Sequence, residues 1–426
     1  MIQADLIVEG AAELVTLAGP ASRPRLRDEM RDLGILRRGA LAARRGKIVW
    51  VGPTADLLTA VRPLAFCKLI DATGKTVMPG LVDPHTHLVF AGSRENEFAL
   101  RIQGKTYQEI AAAGGGIHAT VAATRAAHKA DLKDAARRTL DTMLVLGTTT
   151  VEAKSGYGLD IANEIKMLEI IRELEEAGPA TVVPTFMGAH EIPPEFRQHP
   201  EAYVDLVITR MIPLVAARKL ARFCDVFCET GVFSVNQTER IFRAAHTVGL
   251  ELRVHADELT DLGGAAMAAR LKARTADHLL YVNDEGIRAM AEAGVIAVLL
   301  PGTAYFLHLQ RYARARDMIA AGVPVALATD FNPGSCMTES LALILNLACT
   351  QMRMLPAEAI TAATINAAWA IGEQDCVGTL EVGKHADLLI LDAPNHEHLC
   401  YHFGVNLVET VIKNGKVVVE SGQRLV

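Results

Sequence analysis

Eight short apolar segments alternate with amphipathic helical patterns through the middle of this chain, and that alternation limits the available folds more than any other feature. The segments cover residues 77–90, 148–153, 181–189, 223–229, 251–256, 275–280, 295–299 and 325–329. Near-continuous apolar runs of this length are what parallel strands buried on both faces require. Between them, Asp160 can cap a helix in which Ile161, Ile165 and Leu168 recur at helical spacing, and Ser234 with Gln237 forms a capping-box pattern before Ile241 and Ala245. Further helices are expected around residues 131–146, 263–273, 285–293 and 312–321. Eightfold strand–helix alternation predicts an α/β fold, a closed (β/α)8 TIM barrel whose chemistry sits at the carboxyl ends of its strands; a doubly wound open sheet is the alternative.

The two ends of the chain have a different texture. Short strands are expected at residues 5–9, 39–51 around the turn Arg45-Gly46-Lys47, 68–72 and 386–391. Two more, 408–413 and 416–420, flank Asn414-Gly415, a strong hairpin signal. Residues 1–78 and 378–426 are therefore expected to form one small β-domain around a barrel of residues 79–377.

A chain of 426 residues can bury a large core, and a net charge of -6 provides no basic footprint for nucleic acid. Seven cysteines, an odd number without paired spacing, argue against a disulfide framework and suit a reducing compartment. Cys224 and Cys228 read as small buried apolar residues. No basic region with an apolar core opens the chain, and the longest uncharged stretch, 294–309, is broken by Pro301-Gly302 and is too short for a membrane span. A soluble, cytoplasmic protein is the expectation.

On the proposed strands, polar residues fall where a barrel would gather them onto one rim. His85 and His87 lie toward the end of the first, Lys154 follows the second, and His190 with Glu191 ends the third. Glu229 closes the fourth, His255 ends the fifth, His278 lies in the sixth and Asp330 ends the eighth. Histidines at i and i+2 of a strand share a face, so His85 and His87 can meet one metal ion. With His255 and Asp330 they make a nitrogen-rich set that suits a Zn²⁺-like ion and leaves room for water. Each also has a structural reading: a core histidine bonded to backbone, or an aspartate capping the turn Asn332-Pro333-Gly334.

Glu258, just past the fifth strand, can move a proton, and His278 can polarise a substrate oxygen. Arg94 can fork two donors onto a carboxylate, and Tyr157 adds a hydroxyl and a ring face. Lys154 is read as a charged strand-end residue bonded nearby, which implies one metal rather than two. The loop Gly114-Gly115-Gly116-Ile117 lacks a phosphate-binding pattern and reads as a mobile or close-approach backbone segment over the site.

Taken together, Pro79-Gly80-Leu81-Val82-Asp83-Pro84-His85-Thr86-His87, Phe90-Ala91-Gly92-Ser93-Arg94, Lys154-Ser155-Gly156-Tyr157-Gly158-Leu159, Gly188-Ala189-His190, His255-Ala256-Asp257-Glu258, Asp277-His278 and Thr329-Asp330-Phe331-Asn332-Pro333-Gly334 carry a likeness. The whole chain resembles the amidohydrolase superfamily, and within it the enzymes that open the imidazolone ring in histidine degradation. The first motif marks only the superfamily; the Arg94, Tyr157 and Asn332 segments are more specific. The resemblance implies a barrel with a composite β-sandwich from both termini. It makes His85, His87, His255 and Asp330 the ligands of one divalent or trivalent ion, zinc or iron.

By the same likeness, Arg94, Tyr157, His190, Glu258, Asn332, Gly334 and Ser335 contact substrate, while Glu258, His278 and Asp330 act in catalysis. Ser335 stands where a threonine is common in such enzymes, and either residue offers a hydroxyl. The substrate implied is 4-imidazolone-5-propanoate, opened to N-formimidoyl-L-glutamate by a metal-activated water deprotonated by Glu258 or Asp330. A homodimer is also implied. Two alternatives stay open: another cyclic-amide hydrolase or ring deaminase of the superfamily, which needs no carboxylate clamp, and a catalytically silent barrel that only binds.

Overall fold

The computed structural model describes residues 1–20, 22–105, 109 and 115–425. Its centre is a sheet of eight parallel strands hydrogen-bonded in sequence order. The strands run Leu81–Asp83, Thr148–Lys154, Thr181–Ala189, Phe223–Cys228, Glu251–Ala256, Thr275–His278, Ile296–Leu299 and Val325–Leu327. Almost every residue in them is buried, which is why they read as unbroken apolar runs. The two capped helices fall where the sequence periodicity puts them: Asp160 accepts from the Asn163 amide to cap Ile161–Ala177, and Ser234 with Gln237 closes a capping box on Val235–Thr247.

The barrel is sealed at its carboxyl mouth rather than along the first and last strands. There the Asp330 amide donates to the His85 carbonyl at 3.1 Å and the His87 amide to the Phe331 carbonyl at 2.9 Å, with Thr86 bridging Phe331. The candidate metal residues are thus themselves the seam.

One expectation needs correction. Residues 77–90 are not a single strand: Thr76–Pro79 joins the terminal sheet, Leu81–Asp83 starts the barrel, and His85 and His87 lie past the strand end. Gly80 makes the switch, its amide donating to the Asp387 carbonyl at 3.0 Å while the next amide, Leu81, donates to Gly147 at 3.0 Å. A Cβ at Gly80 would meet Thr149 Oγ1 at 2.3 Å, so only glycine fits between the two sheets.

The termini form a second, nine-stranded sheet in which Leu388–Leu391 pairs with Thr76–Pro79 and so joins the two ends of the chain. Along Ile2–Val15, Leu6 and Val8 face an apolar cluster that includes Leu41, Leu388, Ile390 and Ile412, while Ile7 faces another with Ala40 and Ala42. The predicted hairpin pairs Lys413 with Lys416 across Asn414-Gly415, both at positive φ (49° and 72°), as a primed turn demands. Among the described residues, no helix is long and apolar enough to cross a membrane.

Candidate metal centre and active site

His85, His87, His255 and Asp330, dispersed over the sequence, converge at the barrel mouth. His85 Nε2 and His87 Nε2 lie 3.4 and 3.5 Å from Asp330 Oδ1, and His87 Nε2 is 3.5 Å from His255 Nε2. All four are buried, at 3% exposure or less. Thr86 keeps the intervening backbone extended by donating its hydroxyl to the Glu152 carbonyl at 2.7 Å. Although outside the strand proper, the two histidines therefore still face one side. Asp330 sits at φ 55° and His278 at φ 75°, conformations that cost a non-glycine residue about 1–3 kcal/mol and cluster where geometry serves function.

The orientation of two of these imidazoles is set from behind. His85 Nδ1 lies 2.6 Å from Asp277 Oδ2, and His255 Nδ1 lies 3.0 Å from Asp225 Oδ1. With Nδ1 donating to a carboxylate, Nε2 is left as a lone pair aimed at the centre, the tautomer a metal needs. His85 Nε2 is buried with no hydrogen-bond partner, as expected of a donor atom reserved for an ion. Burial holds His85 and His87 well below the usual histidine range, and both are neutral.

The surrounding charges fit a cation. Asp277 is paired with Arg253 at 3.0 Å; Lys154 Nζ lies 2.9 Å from Glu152 Oε1 and 2.8 Å from Asp225 Oδ2, all fully buried. The buried carboxylates Glu152, Asp225, Asp277 and Asp330 outnumber the buried cations Lys154 and Arg253, a surrounding that suits a bound cation. Lys154 is itself salt-bridged, as the sequence suggested.

His278 is 2% exposed, and neither of its ring nitrogens has a protein partner. Glu258 Oε1 lies 3.6 Å from His278 Nδ1, just outside hydrogen-bond reach. Burial first, then the nearby Asp330 and Glu229 carboxylates, push the Glu258 pKa up to about 8, so it holds a proton near neutral pH. Burial similarly raises Asp330 to about 6, with Thr303 donating to its other oxygen at 2.5 Å.

The third-strand and loop residues come together on one wall. The His190 ring stacks on His87 with centroids 4.9 Å apart, and the Tyr157 ring lies 5.3 Å from His190 and 5.8 Å from His87. Arg94 is held by Glu97, whose Oε2 accepts from Nε at 3.0 Å and Nη2 at 2.8 Å, leaving Nη1 against Gly334. A Cβ at Gly334 would lie 2.1 Å from that Nη1, so the glycine admits the guanidinium.

Asn332 is committed to its own turn: Oδ1 accepts from the Gly334 and Ser335 amides, each at 2.8 Å, and Nδ2 donates to the Asp330 carbonyl at 2.7 Å and Ser335 Oγ at 2.8 Å. These bonds hold the turn that follows Asp330 in one shape. Of the glycine loop, Gly114 lies outside the described residues; the Gly116 amide donates to Glu97 Oε1 at 2.8 Å, tying that segment to Arg94.

Sequence reasoning missed Asp225, Glu152, Arg253 and Thr303. A signal existed: Glu152 with Lys154 and Arg253 with His255 are polar pairs at i and i+2 inside otherwise apolar strands, the spacing of one strand face.

A closed parallel barrel with a cluster of histidines and an aspartate at its carboxyl mouth defines a metal-dependent amidohydrolase, and the profile of the Amidohydrolase family matches residues 68–115 and 95–419. The solved zinc-bound adenosine deaminase from Xanthomonas campestris shares the fold, with TM-score 0.72 and 19% identity over 100% of this chain and 95% of that one. Among curated relatives, the imidazolonepropionase of Geobacillus kaustophilus HTA426 is 55% identical over 419 residues, 98% of this chain and 99% of that protein. That of Symbiobacterium thermophilum is 54% identical over 420 residues, 98% of each. The chain belongs to the imidazolonepropionase family.

Proposed function

We propose that this enzyme hydrolyses the cyclic amide bond of 4-imidazolone-5-propanoate to N-formimidoyl-L-glutamate. The observation that carries the reading is Arg94, braced by Glu97 against Gly334 in the turn that directly follows Asp330, a member of the His/Asp cluster. A carboxylate-binding guanidinium next to a hydrolytic centre selects an acidic cyclic amide over a neutral one.

His85, His87 and His255 through Nε2, with Asp330 through Oδ1, would hold one zinc or iron ion. Bound there, it would supply a Lewis acid and a source of hydroxide at neutral pH. Arg94 Nη1 anchors the propanoate, and the Tyr157 and His190 rings flank the imidazolone. His278 donates a hydrogen bond to the ring carbonyl oxygen as negative charge develops on it. Glu258 takes the proton of the attacking water and returns it to the ring nitrogen as the carbon–nitrogen bond breaks, so one water is added across that bond. A carboxyl group raised to about 8 is suited to holding that proton between the two transfers.

We place the enzyme in the cytoplasm as a homodimer; seven free cysteines support a reducing compartment. The test of the reaction is product identity. Proton NMR of the reaction mixture should show the formimidoyl proton of N-formimidoyl-L-glutamate, and release of ammonia with an intact ring would instead indicate a deaminase.

A further inference from the structure

Glu164 does nothing in the reaction just described, yet it is 1% exposed and carries an unusual bonding load. Its Oε1 accepts from three backbone amides of the preceding loop: Gly156 at 3.2 Å, Gly158 at 2.8 Å and Leu159 at 2.9 Å. The loop folds around the carboxylate and puts Tyr157 on the site wall. From the outside, Arg125 holds the same loop by its carbonyls, donating from Nε to Gly158 at 2.6 Å and from Nη2 to Leu159 at 3.1 Å.

The loop is built for this wrapping. Leu159 sits at φ 51°, a left-handed conformation a leucine keeps only when its surroundings enforce it. A Cβ at Gly158 would meet the Glu164 amide nitrogen at 2.4 Å, so the approach requires glycine. Gly156, at φ 116°, turns its carbonyl toward His190 and accepts from Nδ1 at 3.0 Å. With Nδ1 protonated, His190 presents Nε2 as a lone pair.

We propose that Glu164 is a positioning residue of the active site: by gathering the amides of Gly156, Gly158 and Leu159 it fixes the Tyr157 ring and, through the Gly156 carbonyl, the His190 tautomer. The inference rests on the proposed roles of Tyr157 and His190 as substrate contacts. Its function follows from geometry, since a loop whose three amides point inward to one oxygen has no freedom to turn Tyr157 away.

The test compares Glu164→Gln, which keeps an oxygen to accept the three amides, with Glu164→Leu, which fills the volume and accepts nothing. On metal-loaded enzyme, Glu164→Leu should raise KM about tenfold or more with a much smaller change in kcat, the signature of lost substrate grip. Glu164→Gln should stay near wild type. Long-range ¹H–¹⁵N spectra, with His190→Gln to assign the ring, should show His190 leaving the Nδ1–H tautomer in the leucine variant only. Gly158→Ala attacks the same contact from the loop side and should reproduce the KM effect, which keeps the test decisive if the leucine variant does not fold.

Wild-type KM with an unmoved His190 signal in Glu164→Leu, or in Gly158→Ala where that variant stands in, would overturn the proposal. So would equal KM defects in the glutamine and leucine variants. If wild type failed to open the imidazolone while His190 still shifted, the reaction assignment would fall and the positioning role would stand.

Discussion

Replacing Asp225 by asparagine tests whether the carboxylates behind the histidines set metal affinity. Burial alone would push the Asp225 carboxyl up, but His255 and Lys154 outweigh it and hold the pKa well below the usual range. One oxygen serves His255 Nδ1 at 3.0 Å and the other Lys154 Nζ at 2.8 Å. Asparagine keeps the volume but offers only one acceptor, so either His255 or Lys154 faces an amide N–H₂. Loss of such a partner typically weakens metal binding about 10–100-fold, or about 1.4–2.7 kcal/mol. Breaking a buried ion pair costs about 3–5 kcal/mol of stability, and Glu152, still 2.9 Å from Lys154 Nζ, keeps the loss toward the lower end.

Chelator-competition titration of Zn²⁺ reads the affinity, and thermal unfolding with and without metal reads the stability. Glu229→Gln is the control: Glu229 is equally buried, but it accepts from the Leu259 amide at 2.8 Å and touches no proposed ligand. It should lose stability and keep its metal. An Asp225→Asn affinity within about twofold of wild type would refute the orienting role, as would an equal loss of affinity in the Glu229 variant.

Arg94→Met should raise KM for imidazolone propanoate about 10–100-fold, the worth of a charge-assisted bond, while leaving KM for a neutral cyclic amide unchanged; equal effects would remove the clamp. The base must be ionised to accept a proton, so kcat/KM should rise with pH, and the bound cation places that limb below the value of about 8 that Glu258 has without it. Glu258→Gln should abolish the limb along with most of kcat; a limb surviving in the variant would assign it elsewhere. Ser335→Thr keeps the hydroxyl that Asn332 Nδ2 donates to at 2.8 Å, so its KM should stay within about twofold of wild type. Ser234→Ala removes a helix cap and should lower stability by about 1 kcal/mol in denaturant titration without touching kcat.

The barrel was legible because each of its strands is buried on both faces and each helix shows one apolar stripe, patterns that survive in sequence. Thr181–Ala189 and Glu251–Ala256 begin and end where the apolar runs do. The split at Gly80 was not legible, since Thr76–Pro79 and Leu81–Asp83 are equally apolar and differ only in which sheet takes their amides. His85 and Asp330 could be suspected from strand-end position alone. Asp225 and Asp277 could not, because a carboxylate inside a strand shows its purpose only once the fold brings a histidine from another strand to it.

The central claim is metal-dependent opening of an acidic imidazolone ring, and the most direct measurement follows the absorbance of 4-imidazolone-5-propanoate under three conditions. Metal-replete protein should remove the chromophore with saturable kinetics, chelated protein should not, and adding back zinc or iron should restore the rate. Absence of turnover by metal-replete protein, or turnover unaffected by complete removal of the metal, would contradict the account.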